Sequence, residues 1–314
     1  MSMIDSNKKH VLIYGDAFVD YIAEDQSNST FTTFLGGATV NVAAGISRLG
    51  ASSTFITVTG DDATSEFVRE ELREEGVDLS FAKHENDKRV SGVYVHLTED
   101  NDRIFHTYID ETPDIQVETT DLSMEAFRDA SAFHICSGTM FHLTALQTTW
   151  EAVRLTKKFG VPLSVDANIR PLRWESEALC RETIMSFVEE ANILKLTEEE
   201  LFFLTETDTL EDGIAKLMPY QIPVVLVTAG ELGTFAVING IMTHVGVEPV
   251  VPVDTTGAGD AFIAGILRQI HLKGQPETRD EWIDYISFGN KLGALCATKP
   301  GALSAMPRLE DIEE

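Results

Sequence analysis

The sequence is short of cysteine, of basic residues and of long apolar runs, and each shortage closes off a class of protein. Its 314 residues hold three cysteines, Cys136, Cys180 and Cys296. An odd number without Cys-x-x-Cys spacing supports neither a disulfide framework nor a thiolate zinc site, and it suits a reducing compartment. Lys and Arg number 24 against 51 Asp and Glu, a formal net charge of −27 at pH 7. That field repels a phosphate backbone and no basic stripe offsets it, so nucleic acid is excluded as a partner. The longest apolar runs, such as 11–14 and 223–227, fall far below the roughly 20 residues needed to cross a bilayer, so no membrane partner is expected. Residues 1–10 are polar with no apolar stretch behind them, so no secretory leader is expected and the chain is assigned to the cytoplasm. The acidic excess fits either a moderately acidic enzyme or one suited to a salt-rich cytoplasm, since net charge bears on solubility rather than on fold.

What is present is an ordinary globular composition, 43% hydrophobic and 24% charged, in a chain long enough to bury a full core. Short β-rich runs at 11–14, 54–58, 132–136, 161–165, 192–196 and 224–227 alternate with helix-length stretches. Most runs are apolar throughout, as strands covered on both faces must be, and the alternation predicts an α/β fold on a parallel sheet. Residues 64–75 and 143–159 carry apolar positions at helical spacing and end at Gly76 and Gly160. Two regions break the rhythm. Residues 17–34 and 89–109 read as an antiparallel hairpin system outside the main sheet, the second turning at Glu99-Asp100-Asn101-Asp102. A further hairpin, 233–238 with 241–245, turns at Asn239-Gly240. No repeat or low-complexity linker divides the chain.

Two segments carry chemistry. In 253–262, Gly257 and Gly259 let the backbone approach a ligand, and the helix-spaced Phe262, Ile263, Ile266, Leu267 and Ile270 start a helix at once. Free N–H groups at a helix N-terminus make an anion site. Asp260 beside such a site would repel phosphate unless it serves as the base for a hydroxyl attacking phosphorus, although Gly-Ala-Gly-Asp alone is equally a turn with a capping acid. A Walker Gly-Lys-Ser/Thr is missing, which excludes a P-loop. In 36–50, the pair Gly36-Gly37 opens a helix closed at Gly50, with Asn41 in its first turns as a donor and acceptor suited to a sugar hydroxyl. Asp16 follows the first strand, where open α/β sheets place ligand groups.

Together GGATVNVAAGISRLG and DTTGAGDAF resemble the two signatures of the ribokinase/PfkB carbohydrate kinase family, and the resemblance covers nearly the whole chain in order. The runs 166–174, 197–201 and 298–302 look most like its fructokinase branch. The resemblance implies one ribokinase-like domain over 1–314: a three-layer α/β sandwich with a mostly parallel central sheet and a small β-sheet lid from about 17–34 and 89–110. It implies an ATP-dependent kinase making fructose 6-phosphate. The alternatives are another acceptor (2-keto-3-deoxygluconate, tagatose, ribose or a nucleoside) or a sugar sensor that kept the fold without the chemistry. Asp260 then matches the catalytic base and Gly257, Ala258 and Gly259 the anion hole. Asp16, Gly36, Gly37 and Asn41 match sugar contacts, and Arg170 an arginine that meets phosphate. Thr228, Gly230 and Gly233 match the nucleotide loop and Asn290 a position beside the adenine. Glu200 matches the acid that organises Mg2+, with Thr197 where the family has Asn. Asp254 and Thr256 match a K+ loop, with Ala305 where ribokinases have Ser. Ser137-Gly138 stands where ribokinases place an acid against the sugar. The partners implied are sugar and ATP, and a second copy of the chain through the lid.

Other conspicuous residues are read as structural. His96, His106, His134 and His142 lack metal-ligand spacing, Trp150 reads as helix-face core, and Glu70, Glu71, Glu74 and Glu75 read as a solvated helix surface.

Overall fold

A computed structural model describes residues 8–98 and 103–312. The chain starts with β1 (His10–Tyr14) and leaves the core for the hairpin β2 (Phe18–Ala23) and β3 (Phe31–Gly36). It returns through α1 (Ala38–Arg48), β4 (Ser53–Ile56), the short β5 (Val58–Thr59), α2 (Ala63–Glu74) and β6 (Lys83–His84). A second excursion forms β7 (Ser91–Leu97) and β8 (Arg103–Ile109). Then follow α3 (Met124–Asp129), β9 (Ala130–Cys136), α4 (Leu143–Phe159), β10 (Leu163–Asp166), α5 (Glu177–Val188) and β11 (Ile193–Thr197). The last part holds α6 (Glu198–Thr205), α7 (Leu210–Leu217), β12 (Val224–Thr228), β13 (Thr234–Ile238), β14 (Ile241–Val245), α8 (Ala258–Lys273) and α9 (Arg279–Ala297).

The main sheet has the order β14-β13-β12-β11-β10-β9-β1-β4. From β12 to β4 every pairing is parallel, and β13 and β14 extend that sheet antiparallel rather than standing apart from it. Strand residues alternate between two apolar layers, as period-2 geometry requires. Val11 and Ile13 of β1 face the layer built on α1, α2, α8 and α9, while Leu12 and Tyr14 face the layer built on α3 to α7. This is the expected α/β/α arrangement, and it explains why the strands read as apolar throughout.

The two excursions form one four-stranded sheet, β3-β2-β7-β8. Each hairpin is antiparallel, but the seam between them, β2 with β7, is parallel, which corrects the purely antiparallel expectation. A parallel seam arises because more than 50 residues of core chain separate the hairpins, and only a tight turn forces antiparallel neighbours. The turn assigned to 99–102 lies outside the described residues.

Helix boundaries follow local chemistry. Asp62 caps α2 by accepting from the N–H groups of Thr64 and Ser65, and Gly160 ends α4 in the left-handed conformation at φ 65°. Two expectations fail. Trp150 is 37% exposed and stacks on Phe187 at 4.1 Å, because α4 buries a stripe of smaller residues, Ala145, Thr148, Thr149, Ala152 and Val153. Glu75 is not merely solvated: the Arg48 guanidinium donates to it at 2.6 Å and holds its carboxyl below the usual range. Arg48 also donates to the carbonyls of Leu303 and Met306, which ties the tail to α1. Among the described residues no helix is long and apolar enough to cross a membrane.

Candidate active site

Every parallel strand ends at the same edge of the sheet, and the expected residues collect there, as open α/β sheets dictate. Gly257 precedes α8 with φ 80°, a conformation that favours glycine, and a Cβ there would come within 3.0 Å of Ala302. Asp260 stands in the first turn of α8, where the helix dipole is positive. Of the neighbouring N–H groups, that of Ala258 bonds the Thr255 carbonyl at 3.2 Å. The Asp260 carboxylate is buried and accepts from Asn41 Nδ2 at 2.8 Å, across the packed pair α1 and α8. Burial and the charge of Asp166 push its carboxyl up to about 6, against the pull of Lys195, Asn41 and Arg170. Oδ1 of Asn41 is buried with no partner among the described residues, so an acceptor stands open beside the acid. Asn41, expected as a sugar contact, spends its donor on Asp260.

Sequence reasoning missed the group beneath this helix start. Lys195 on β11 is buried and contacts both oxygens of Asp166, at 3.0 and 3.1 Å. Burial alone would discharge it, but Asp166, Glu200 and Asp260 hold its ammonium above the ordinary lysine value. Gly259 makes room for it, since a Cβ there would lie 2.8 Å from Lys195 Nζ. A signal existed: Lys195 is the one charge inside an otherwise apolar strand, and a buried lysine needs a partner.

Glu200 spends its carboxylate on backbone. Oε1 accepts from the Ile169 N–H at 2.8 Å and Oε2 from the Thr197 N–H at 2.9 Å, the latter as half of a capping box at the start of α6. Thr197, standing where the family has Asn, caps this helix. Asp254 accepts from the Thr256 N–H and hydroxyl and from the Gly301 N–H, so the loop before α8 is closed onto the tail. Among the described residues no group of three or more His, Cys, Asp or Glu could hold a metal ion.

On the lid side, Gly37 adopts φ 109° ahead of α1, and a Cβ there would approach the Asp16 carbonyl at 3.1 Å. At Gly36 a Cβ would meet the Asp20 carboxylate at 2.7 Å. Burial pushes the Asp16 carboxyl up, while Arg173 and Lys88 pull it down. Arg170 is exposed, with Nη1 bonded to the Ile169 carbonyl, and its charge acts on Asp260. Cys136 lies in the floor between these groups; burial pushes its thiol up to about 12, with Asp166, Asp260 and Asp16 adding to the effect. Ser137 in the same floor donates to the Asn168 carbonyl at 2.9 Å.

Thr228 ends β12 and leads into a tight loop in which Gly230 has φ 54° and Gly233 φ 87°. The Ala229 N–H bonds the Gly233 carbonyl at 2.8 Å, and a Cβ on Gly233 would strike the Val245 carbonyl at 2.3 Å. Asn290 does not present its amide to open space. It accepts from Thr234 at 2.7 Å and donates to the carbonyls of Val245 and Gly246, so α9 braces the hairpin that forms this wall. Of the histidines read as structural, His134 is buried against Ser164 with its pKa pushed down to about 3 by burial, and His96 and His106 stack at 4.0 Å on the small sheet.

Residues 8–309 match the pfkB family carbohydrate kinase pattern. A fructokinase of Salmonella typhimurium is 35% identical over 303 residues, covering 96% of this chain and 97% of that protein, and Fructokinase-1 of Zea mays is 31% identical with 96% of both covered. The fructokinase of Vibrio cholerae O395, solved in a form with fructose, ADP and calcium ion bound, superposes with a TM-score of 0.85 at 30% identity over 98% of this chain and 99% of that one. Aminoimidazole riboside kinase from Salmonella enterica superposes with a TM-score of 0.83 at 25% identity, over 96% of this chain and 98% of that one. With a ribokinase-like α/β fold, an acid at a glycine-led helix start and near-complete coverage by such relatives, the chain belongs to the pfkB family of carbohydrate kinases.

Proposed function

We propose that the protein is an ATP-dependent fructokinase that moves the terminal phosphoryl group of ATP to the 6-hydroxyl of D-fructose, giving fructose 6-phosphate and ADP. The observation that carries the reading is Asp260, a buried carboxylate raised to about 6, at a helix start led by Gly257. The fructose and ADP held by the Vibrio cholerae relative support the substrate pair. In this reading Asp260 accepts the 6-hydroxyl proton as the oxygen attacks in line, and the N–H groups of Gly257 and Gly259, with that of Ala258 once it leaves the Thr255 carbonyl, offset charge on the transferring group. Asp16, Gly36, Gly37 and Asn41 hold the sugar, and Arg170 meets the phosphate. Thr228, Gly230 and Gly233 bound the nucleotide, with Asn290 bracing their wall.

Mg2+ takes few protein ligands and keeps several waters, leaning on one or two carboxylates and on phosphate oxygens. That coordination suits an ion that arrives with the nucleotide, with Glu200 as its water-mediated protein partner. Bound there, it would neutralise phosphoryl charge. Asp254, Thr256 and the Gly301 backbone form the candidate K+ loop, and relatives solved with ADP and either calcium or potassium ion support ion use. The lid leaves β3 and β8 as edges with Phe34, Ile104 and Tyr108 exposed, which supports pairing with a second copy through the lid.

The test is ADP release with Mg-ATP across fructose, mannose, glucose, ribose, tagatose, 2-keto-3-deoxygluconate and adenosine. Fructose should be the fastest acceptor. A faster turnover of another sugar would reassign the substrate, and silence on every member would remove the kinase reading.

A further inference from the structure

Beside Asp16, the floor and the base of the lid enclose a pocket lined by Lys88, Asp110, Gln116, His142 and Arg173. Lys88 is the unusual member. It is 5% exposed, stands three residues ahead of β7, and its ammonium makes one hydrogen bond, 3.2 Å to the Thr112 carbonyl. An ammonium carries three donors, so two have no acceptor among the described residues. Burial pulls its pKa below the ordinary lysine value, against the charges of Asp16 and Asp110, and neither carboxylate takes a hydrogen bond from it. The pocket holds other open polar atoms. The Asp16 carboxylate accepts no hydrogen bond among the described residues, and Nδ1 of His142 is buried without a partner. Arg173 is already engaged, with its guanidinium 4.1 Å from the Phe141 ring centre and 5.6 Å from that of Phe18, joining the lid to the floor.

Buried donors and acceptors left open together are costly to maintain unless a ligand fills them. Here an ammonium donor and a carboxylate acceptor line one pocket, which matches a pair of adjacent hydroxyls: one accepts from the ammonium while the other donates to the carboxylate. Lys88, Asp16 and Asp110 line this pocket together and Asp260 is not among its lining residues, whereas the reacting hydroxyl must reach Asp260. We propose that Lys88 is a specificity-determining residue that donates to a sugar oxygen at the end remote from the hydroxyl that is phosphorylated. Resting on the fructokinase reading, this places the 1- and 2-hydroxyls of fructose at Lys88 and Asp16.

The experiment pairs a variant with substrate analogues. Wild type and Lys88→Met are assayed on fructose, on 1-deoxyfructose and on 2,5-anhydromannitol, which lacks the 2-hydroxyl. On fructose the variant should raise KM about tenfold or more, the loss expected for one hydrogen bond from a charged donor, with kcat and ADP affinity nearly unchanged. On the analogue that lacks the oxygen read by Lys88, wild type and variant should have the same KM. An equal loss on all three sugars, or no loss on any, overturns the proposal, because a merely structural lysine cannot sense which hydroxyl is missing. Lys88→Gln keeps a neutral donor, should fall between the two, and carries the same comparison if the Met variant does not fold. If wild type does not turn over fructose, the fructokinase reading falls. The comparison then runs on the accepted sugar of the panel and its analogue lacking the oxygen remote from the phosphorylated one, with the same two outcomes.

Discussion

Asp260 is held in a state that costs the fold stability at neutral pH. Burial raises its carboxyl to about 6, so the folded protein binds that proton more tightly than the unfolded chain, in which Asp titrates near 3.9. The group therefore weakens the fold as pH rises between those values, and above about 6 the full cost is present. Asp260→Asn should lower kcat at least roughly a hundredfold, the lower range for a positioned base, while its Tm at pH 8 matches or exceeds that of wild type. Calorimetry beside the ADP assay checks both halves, and full activity in the variant would remove the role. For the native protein, kcat/KM should be level above pH 6 and fall about tenfold per unit below it, since only the ionised base is competent.

Lys195 belongs to the same charge system. Removing one partner of a buried pair leaves the other uncompensated, so Lys195→Met should destabilise by about 3–5 kcal/mol, and the double variant Lys195→Met with Asp166→Asn should recover most of that loss. Denaturant titration of the two singles and the double measures the coupling. Near-additive losses would mean that the pair is not the stabilising unit.

At the scale of elements, the start of α8 shows how a helix is built for a site and not for itself. Alanine is the better helix former than glycine by up to about 1 kcal/mol, yet a Cβ at Gly259 would press on Lys195 Nζ. Gly259→Ala should keep α8 by circular dichroism and lose at least about tenfold in kcat. Retained activity would show that the lysine can shift at no cost. The hairpin β13–β14 works similarly: Asn290 spends its whole amide on it, and Gly233 has no room for a side chain. These contacts hold a wall and touch no open space, so a position that resembles a ligand contact in the sequence acts through the element it braces.

For the molecule as a whole, a net charge of −27 makes self-repulsion a standing cost of compaction. Raising ionic strength from about 0.01 M to about 1 M shortens the screening length from roughly 30 Å to roughly 3 Å. Tm should rise along that series in both NaCl and KCl. An additional rise in KCl alone would locate a K+ effect at the Asp254 loop, and identical curves would argue against one.

The strand rhythm, the two glycine-led segments and Asp260 were legible in the sequence because each is local: apolar runs mark strands buried on both faces, and glycines ahead of a helix-spaced apolar run mark where a helix starts. The two stretches that break the rhythm were legible as strands for the same reason. Their parallel seam was not, because pairing between β2 and β7 depends on how the intervening core folds back. Nor could the sequence show that Asn41 and Asp260, 219 positions apart, share a hydrogen bond. The exposure of Trp150 and the pairing of Glu75 with Arg48 are likewise decided by which neighbours arrive. Residue order alone determined most of the elements and singled out Asp260 as the candidate base. Tertiary structure alone decided the buried charges, Lys195 under the helix start that carries Asp260 and Lys88 in the separate pocket beside Asp16, because burial and partnership are properties of three-dimensional neighbours.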